Sequence, residues 1–105
     1  MDTADKLLEQ AIHADPKLAD AYFQLGMLQQ MRSQWQESET ALEKCLALKP
    51  HESKAHYRLA LAYSHTGEKD KARKELDLQQ KYSQEEKDAL NARLQEVTTF
   101  IVSNN

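Results

Sequence analysis

The chain repeats its own pattern at an interval of 34 residues, and this interval limits its fold more than any other feature. When the chain is shifted forward by 34 positions, residues of similar size coincide. The coinciding pairs are Pro16 and Pro50, Ala21 and Ala55, Phe23 and Tyr57, Leu25 and Leu59, Gly26 and Ala60, and Leu42 and Leu76. A period of this length, made of paired helices, is typical of solenoid proteins. The repeat predicts an all-α fold that acts by binding and not by catalysis, and it leaves the partner open.

Apolar residues at three- and four-residue spacing predict six helices. These are residues 4–14, a segment between Leu18 and Ser33, a segment from Trp35 up to Pro50, and residues 54–65, 69–81 and 83–102. Gly67 follows the fourth helix, and we expect it to end that helix in the left-handed conformation. Ser83-Gln84-Glu85-Glu86 has the spacing of a capping box and therefore predicts the start of the sixth helix. That helix carries one apolar stripe, formed by Leu90, Leu94, Val97 and Ile101.

Composition and charge narrow the class of protein. The 105 residues include only two Gly and two Pro, with 40% apolar and 30% charged residues, which suits one mostly helical domain. A net charge of −3 provides no electrostatic footprint for nucleic acid or for an anionic membrane. No apolar run approaches the ~20 residues that a membrane-spanning helix needs. The first residues lack the pattern of a secretory signal, so an exported form would need a signal outside this chain, and cytoplasmic localisation is favoured.

The histidines and the single cysteine do not form the pattern of a metal or catalytic site. His51, His56 and His65 lie five and nine residues apart, so no two of them form a ligand pair on one helix face. No nucleophile motif or glycine-rich phosphate loop occurs. Cys45 occupies a position that requires a small buried residue, and a core thiol of raised pKa outweighs a redox role. We therefore expect no enzyme activity, no cofactor and no metal.

The repeated residues resemble the tetratricopeptide repeat, whose 34 positions alternate large and small residues so that two antiparallel helices pack closely. The resemblance covers about residues 4–81. The matching residues are Tyr22, Leu25, Gly26, Leu42, Cys45 and Pro50, then Leu59, Ala60, Tyr63, Gly67, Ala72 and Leu76, preceded by Ala4, Leu8, Ala11 and Pro16. It implies a right-handed superhelix of helical hairpins in a single domain. The implied parts are a half repeat (4–16), two full repeats (19–50 and 53–82) and a capping helix (83–102) that covers the last repeat with a polar surface.

Several positions depart from the family pattern. Ser38 stands where the repeat has alanine, and Gln29 and His56 stand where it has an aromatic residue, so we expect weaker packing at these sites. Lys69 takes the place that Trp35 has in the preceding repeat. Gln79, Gln80 and Gln84 replace small apolar residues and the closing proline, which indicates that the array ends there.

The resemblance also implies a concave groove lined by the first helix of each repeat. The residues at the groove-facing positions are Asp20, Phe23, Met27, Gln30 and Met31, then Lys54, Tyr57, Leu61, Ser64 and His65. An apolar stripe at helical spacing is also what a core requires, so packing of Phe23 and Met27 against a neighbouring helix is the alternative. Methionine and aromatic side chains nevertheless suit adaptable peptide-binding surfaces.

Lys54 and Arg58 lie one helical turn apart, where two cations can hold one carboxylate. Relatives that bind the acidic C-terminal tails of heat-shock chaperones carry Lys and Arg at these positions. Gln24 replaces the asparagine of that pattern, and the repeat that would supply a further lysine and asparagine is absent from the chain. Simple solvation of the helix surface is the alternative.

The resulting hypothesis is a non-catalytic interaction module that holds a peptide or helix of a partner protein in the groove. The alternative is a self-associating or structural segment of a larger protein, whose groove is filled in cis or by another copy. Because the first helix matches the second half of a repeat, part of it and the surface of residues 22–28 should lie open. This predicts either further repeats upstream in a longer protein or a symmetric homodimer through the N-terminal ends.

Overall fold

The computed structural model describes residues 3–103, which form five helices and no strand. The helices are α1 (Thr3–Ala14), α2 (Ala19–Met31), α3 (Trp35–Leu48), α4 (Ser53–His65) and α5 (Lys69–Ser103). The predicted all-α fold is confirmed, and the first four helices match the predicted segments to within about one residue.

The predicted sixth helix does not exist as a separate element. Lys69–Ser103 is one continuous helix of 35 residues, so the prediction of a break before Ser83 is wrong. The physical reason lies in the residues of the junction. Neither Gly nor Pro occurs after Gly67, and Ser disfavours a helix interior by only a few tenths of a kcal/mol. A capping box can start a helix but cannot by itself stop the preceding one. The division of the domain into repeats and a cap stays a prediction.

Consecutive helices run antiparallel, as contacts between them show. Ser38 of α3 donates a hydrogen bond from Oγ to the Gly26 carbonyl of α2 at 2.9 Å, while Lys49 at the other end of α3 lies 3.4 Å from Asp20. The Tyr63 hydroxyl of α4 donates to Glu43 of α3 at 2.8 Å. The departure at Ser38 is therefore accommodated, because its buried hydroxyl bonds to the helix that it packs against.

The core lies along the shared faces of α2, α3, α4 and the first turns of α5. Its two clusters consist of Ala19, Tyr22, Cys45 and Ala55, and of Leu42, Leu59, Tyr63 and Ala72. Phe23 and Leu46 pack against both clusters and join them into one core. α1 contributes no buried residue, and its Leu7 is 61% exposed, so the N-terminal helix lies at the margin of the core.

The two tight turns that follow α2 and α4 are equivalent in the 34-residue repeat. Ser33 has φ 59° and Gly67 has φ 83°, so both residues adopt the left-handed conformation. In each turn the residue that follows donates its N–H to a carbonyl five residues earlier: Gln34 to Gln29 at 2.8 Å and Glu68 to Tyr63 at 2.9 Å. This arrangement satisfies carbonyls at the helix end. The predicted left-handed Gly67 is confirmed.

Small residues allow α2 and α4 to approach their neighbours closely. A Cβ atom on Gly26 would lie 2.7 Å from Leu42 Cγ, which explains the glycine at this repeat position. Its counterpart Ala60 is 2% exposed.

Replacing Ala60 with leucine is expected to lower the free energy of unfolding by about 1–3 kcal/mol, because the added atoms overpack a closed contact. Urea denaturation of the wild type and the variant measures the difference. The matched control is Ala89→Leu, which adds the same atoms at an exposed position of α5 and should change stability by less than about 0.5 kcal/mol. Equal stability of Ala60→Leu and wild type would contradict the repeat register.

Candidate functional site

Three helices enclose a pocket of ≈ 490 Å³ at the beginning of α4. Its lining residues are Phe23 and Met27 from α2, Ser53, Lys54, Tyr57 and Arg58 from α4, and Gln79 from α5. Phe23 and Met27 are four residues apart and so share one side of α2. The same spacing places Lys54 and Arg58 on one side of α4. The pocket therefore combines apolar and aromatic side chains with two cations.

Of the eleven residues that the sequence places in the groove or in the cation pair, the pocket contains five: Phe23, Met27, Lys54, Tyr57 and Arg58. The other six, Asp20, Gln30, Met31, Leu61, Ser64 and His65, are not part of its lining. Gln30 is buried, and its Nε2 donates to the Arg58 carbonyl at 2.7 Å, which ties α2 to α4 beside the pocket. Met31 is 81% exposed, and His65 stacks on Trp35 with ring centroids 3.6 Å apart.

The sequence did not predict two of the lining residues, Gln79 and Ser53. Gln79 lies on α5, and the groove pattern of the family considers only the first helix of each repeat. A signal was present, because Gln79 is polar at a position where the repeat has a small apolar residue. Ser53 is the first residue of α4, and its Oγ donates to Glu86 Oε1 at 3.2 Å. This bond holds the beginning of α4 against α5 at the edge of the pocket.

The two cations of the pocket are available to a ligand. Within residues 3–103, neither the Lys54 ammonium nor the Arg58 guanidinium forms an ion pair or a hydrogen bond. Lys54 is exposed and Arg58 is half-buried, so solvent reaches both side chains. Tyr57, between them in sequence, is 49% exposed and presents a ring that a ligand can cover.

A buried histidine connects the beginning of α4 to α5 and to the α3–α4 turn. His56 Nδ1 lies 2.5 Å from Glu75 Oε2 of α5, and His56 Nε2 lies 2.7 Å from the Pro50 carbonyl of the α3–α4 turn. Both ring nitrogens of His56 thus lie within hydrogen-bond distance of an oxygen acceptor. The Tyr82 ring lies against His56 and His51, with centroids 5.3 Å and 4.4 Å away. His56 thus occupies the site of the expected aromatic residue and joins three segments.

Cys45, the remaining candidate side chain, lies in the protein core and not in the pocket. Cys45 is 1% exposed, and burial raises the pKa of its thiol, with a further rise from the carboxylates of Glu52 and Asp20. The predicted core thiol of raised pKa is confirmed. Over residues 3–103, no three His, Cys, Asp or Glu side chains are grouped closely enough to hold a metal ion. None of the helices in this range is both long and apolar enough to span a bilayer.

Comparisons with known proteins identify the family of the chain. Two sequence models described as tetratricopeptide repeat match the chain, one over residues 29–95 and the other over residues 7–40. The peroxisomal targeting signal receptor of Komagataella phaffii is 39% identical over 59 residues, which are 56% of this chain and 10% of that protein. The PEX5-related protein of Homo sapiens is 38% identical over 65 residues, which are 62% of this chain and 10% of that protein.

Solved structures share the fold. A crystal structure of MamA superposes with a TM-score of 0.74 at 27% identity and covers 77% of this chain and 47% of that chain. A second MamA structure has a TM-score of 0.69 at the same identity. The chain spans about a tenth of the length of the curated relatives that it matches. Because one repeat model matches more than half of its residues and the helical hairpins agree, this chain belongs to the tetratricopeptide repeat family, whose members are generally non-catalytic protein-interaction modules.

Proposed function

We propose that the chain binds a short peptide or a helix of a partner protein, with apolar side chains and an acidic group, in the pocket between α2, α4 and α5. One observation carries this proposal: apolar side chains from two helices and two cations without ion-pair partners meet in one pocket. The role is that of a scaffold or adaptor, without catalysis. The name of one relative describes a receptor for a targeting signal, which supports a ligand that is a segment of another protein.

Each part of the pocket recognises a different part of such a ligand. Met27 and Tyr57 present polarizable surfaces that adapt to apolar side chains of different shapes. Lys54 and Arg58 can donate charge-assisted hydrogen bonds to one carboxylate, either of an acidic side chain or of a free C-terminus. Gln79 offers an amide that can bond to the ligand backbone. A pocket of this kind supports micromolar affinity, which is about −8 kcal/mol.

Removal of both cations tests the proposal. The probe is a library of peptides that end in a free carboxylate, each paired with its C-terminally amidated form. The Lys54→Ala/Arg58→Ala variant is expected to weaken binding of the preferred peptide at least about tenfold, because each lost charge-assisted bond is worth about 1.5–3 kcal/mol. Isothermal titration of wild type and variant measures the change.

A matched control removes the same two residue types elsewhere. Arg73 and Lys74 are exposed on α5 and take no part in the pocket, so Arg73→Ala/Lys74→Ala should bind the peptide as tightly as wild type. Tyr57→Ala tests the apolar part, and it is preferable to a change at Phe23, which also packs against both core clusters. Equal affinity of wild type and the Lys54/Arg58 variant would remove the carboxylate role. Absence of binding to every peptide would contradict the proposed function itself.

A further inference from the structure

The second half of α5 carries an apolar stripe that no described part of the chain covers. The stripe consists of Leu90, Leu94, Val97 and Ile101, whose exposed fractions lie between 54% and 56%. Their spacing of four, three and four residues is the spacing of the apolar seam between two paired helices. All residues from 84 to 103 are exposed. The stripe therefore lies open along a helical segment that extends past the start of α4.

The stripe continues the side of α5 that already packs against another helix. Ala72 is buried, Glu75 and Tyr82 contact His56, and Glu86 accepts a hydrogen bond from Ser53. Successive residues of a helix are rotated by about 100° around its axis. The centre of the stripe therefore lies roughly 60° around α5 from the centre of these contacts. α4 covers this side of α5 only as far as Glu86. Beyond that point the same side offers room for one further helix.

We propose that a second copy of this chain covers the stripe, with the two α5 helices paired antiparallel around a twofold axis near residues 95 and 96. In this register, Leu94 of each copy faces Val97 of the other, and Leu90 faces Ile101. Each pair of facing residues, which we call a layer, then consists of a leucine and a β-branched residue. None of these layers contains a charged side chain. A surface that matches itself in this way is what a closed twofold dimer requires.

Charge decides between the two orientations. Glu85, Glu86 and Asp88 precede the stripe. Of the charged residues before the stripe, Glu86 and Lys87 lie within about 50° of its centre, so in a parallel pair Lys87 would face Lys87 of the other copy and like charges would repel. In the antiparallel pair, Glu86 and Lys87 of each copy lie beyond Ile101 of the other copy, so they do not face their own counterparts. Electrostatics therefore favours the antiparallel arrangement.

The position of the folded repeats favours the same orientation. A parallel pair would bring the two groups of folded repeats to the same end of the shared helical segment. The antiparallel pair places the two groups of repeats at opposite ends of the shared helical segment. Two copies of the pocket then remain open, because none of the stripe residues belongs to the pocket lining. The dimer could hold two ligand segments at once.

Sedimentation equilibrium of the full 105-residue chain tests the dimer. The stripe extends over only two heptads, so we expect a weak dimer with a dissociation constant of roughly 100 µM. Between about 5 and 500 µM, the average mass should rise from 12.1 kDa toward twice that value. Leu94→Glu should raise the dissociation constant at least about tenfold, because it places a charge in a central layer.

The matched control introduces the same glutamate on the other side of the helix. Ala92 is exposed and lies about 160° around α5 from Leu94, so Ala92→Glu should change the dissociation constant less than about twofold. Circular dichroism should show equal helix content in both variants, and Leu94→Glu should bind pocket peptides as wild type does. A wild type that stays monomeric at about 500 µM would overturn the proposal. A dimer that survives Leu94→Glu but is lost in Leu7→Glu would overturn it in favour of the N-terminal ends.

Distances between spin labels test the orientation. A label on Lys81→Cys lies on the exposed side of α5, whereas the native Cys45 is buried. In the antiparallel register the two labels are 29 helical residues apart along the axis, which is about 44 Å. In a parallel pair they would be separated by about two helix diameters, roughly 20 Å. A separation near the shorter value would contradict the antiparallel pair.

Discussion

Replacing Leu42 with alanine is expected to lower the free energy of unfolding by about 3–5 kcal/mol. Leu42 is fully buried, and its side chain fills the space above the Gly26 backbone, where a Cβ atom would come within 2.7 Å of it. Glycine has no side chain that could move into the resulting cavity, so the site collapses poorly and the loss falls in the upper part of the usual range. Urea denaturation monitored by circular dichroism measures it.

The repeat itself supplies the control for this prediction. Leu76 is the residue 34 positions after Leu42, but it is 43% exposed. Leu76→Ala removes the same atoms at the equivalent repeat position and should cost about 1 kcal/mol or less, because water already reaches the site. Similar losses at both positions would contradict the described difference in packing between the two repeats.

Replacing His56 with alanine is expected to lower the free energy of unfolding by about 3 kcal/mol. The substitution leaves the Glu75 carboxylate, which is 16% exposed, without the His56 Nδ1 that lies 2.5 Å from it. It also leaves the Pro50 carbonyl without the donor at 2.7 Å. Leaving such groups unpaired is costly because little water can replace the lost bonds. Thermal and urea denaturation at neutral pH measure the loss.

A second histidine and a double-mutant cycle separate the His56–Glu75 contact from general effects of removing a histidine. His51 also lies against Tyr82, but its side chain is 73% exposed and lies 3.9 Å from Glu85, so His51→Ala should cost less than about 0.5 kcal/mol. Combining His56→Ala with Glu75→Gln should cost less than the sum of the single changes, with a coupling of about 0.5–3 kcal/mol. Additive losses would show that the His56–Glu75 contact does not contribute to stability.

Predictions from the sequence succeeded where short-range periodicity determines the structure. The first four helices follow from the spacing of apolar residues. Their ends follow from residues that cannot easily continue a helix, such as Pro50 and Gly67. Gly26 was predicted to lie at a close helix contact because the repeat requires a small residue there, and the position of Leu42 confirms it. These features depend on backbone sterics and on side-chain volume, which are properties of single residues.

Predictions failed or stayed incomplete where packing between distant segments determines the course of a helix or the position of a side chain. The capping-box spacing at Ser83 suggested a new helix, but α5 continues because its packing against α4 on both sides of Ser83 favours one straight path. Gln30 faces the core instead of the pocket because the Arg58 carbonyl offers its amide a partner 28 residues away. Gln79 joins the pocket through the angle between α5 and α4, which no spacing within one helix encodes.

By itself, the sequence determined the helical class, the 34-residue period, the small residues at close contacts and the absence of a cysteine or histidine pattern for chemistry. These follow from local propensity and from side-chain size, both of which repeat along the chain. Only the tertiary structure decided which five candidate residues share a pocket, that Lys54 and Arg58 are left without ion-pair partners within residues 3–103, and that the stripe from Leu90 to Ile101 lies open. The reason is that exposure and proximity depend on how helices pack against one another, and the same apolar spacing serves a buried face and an open one equally well.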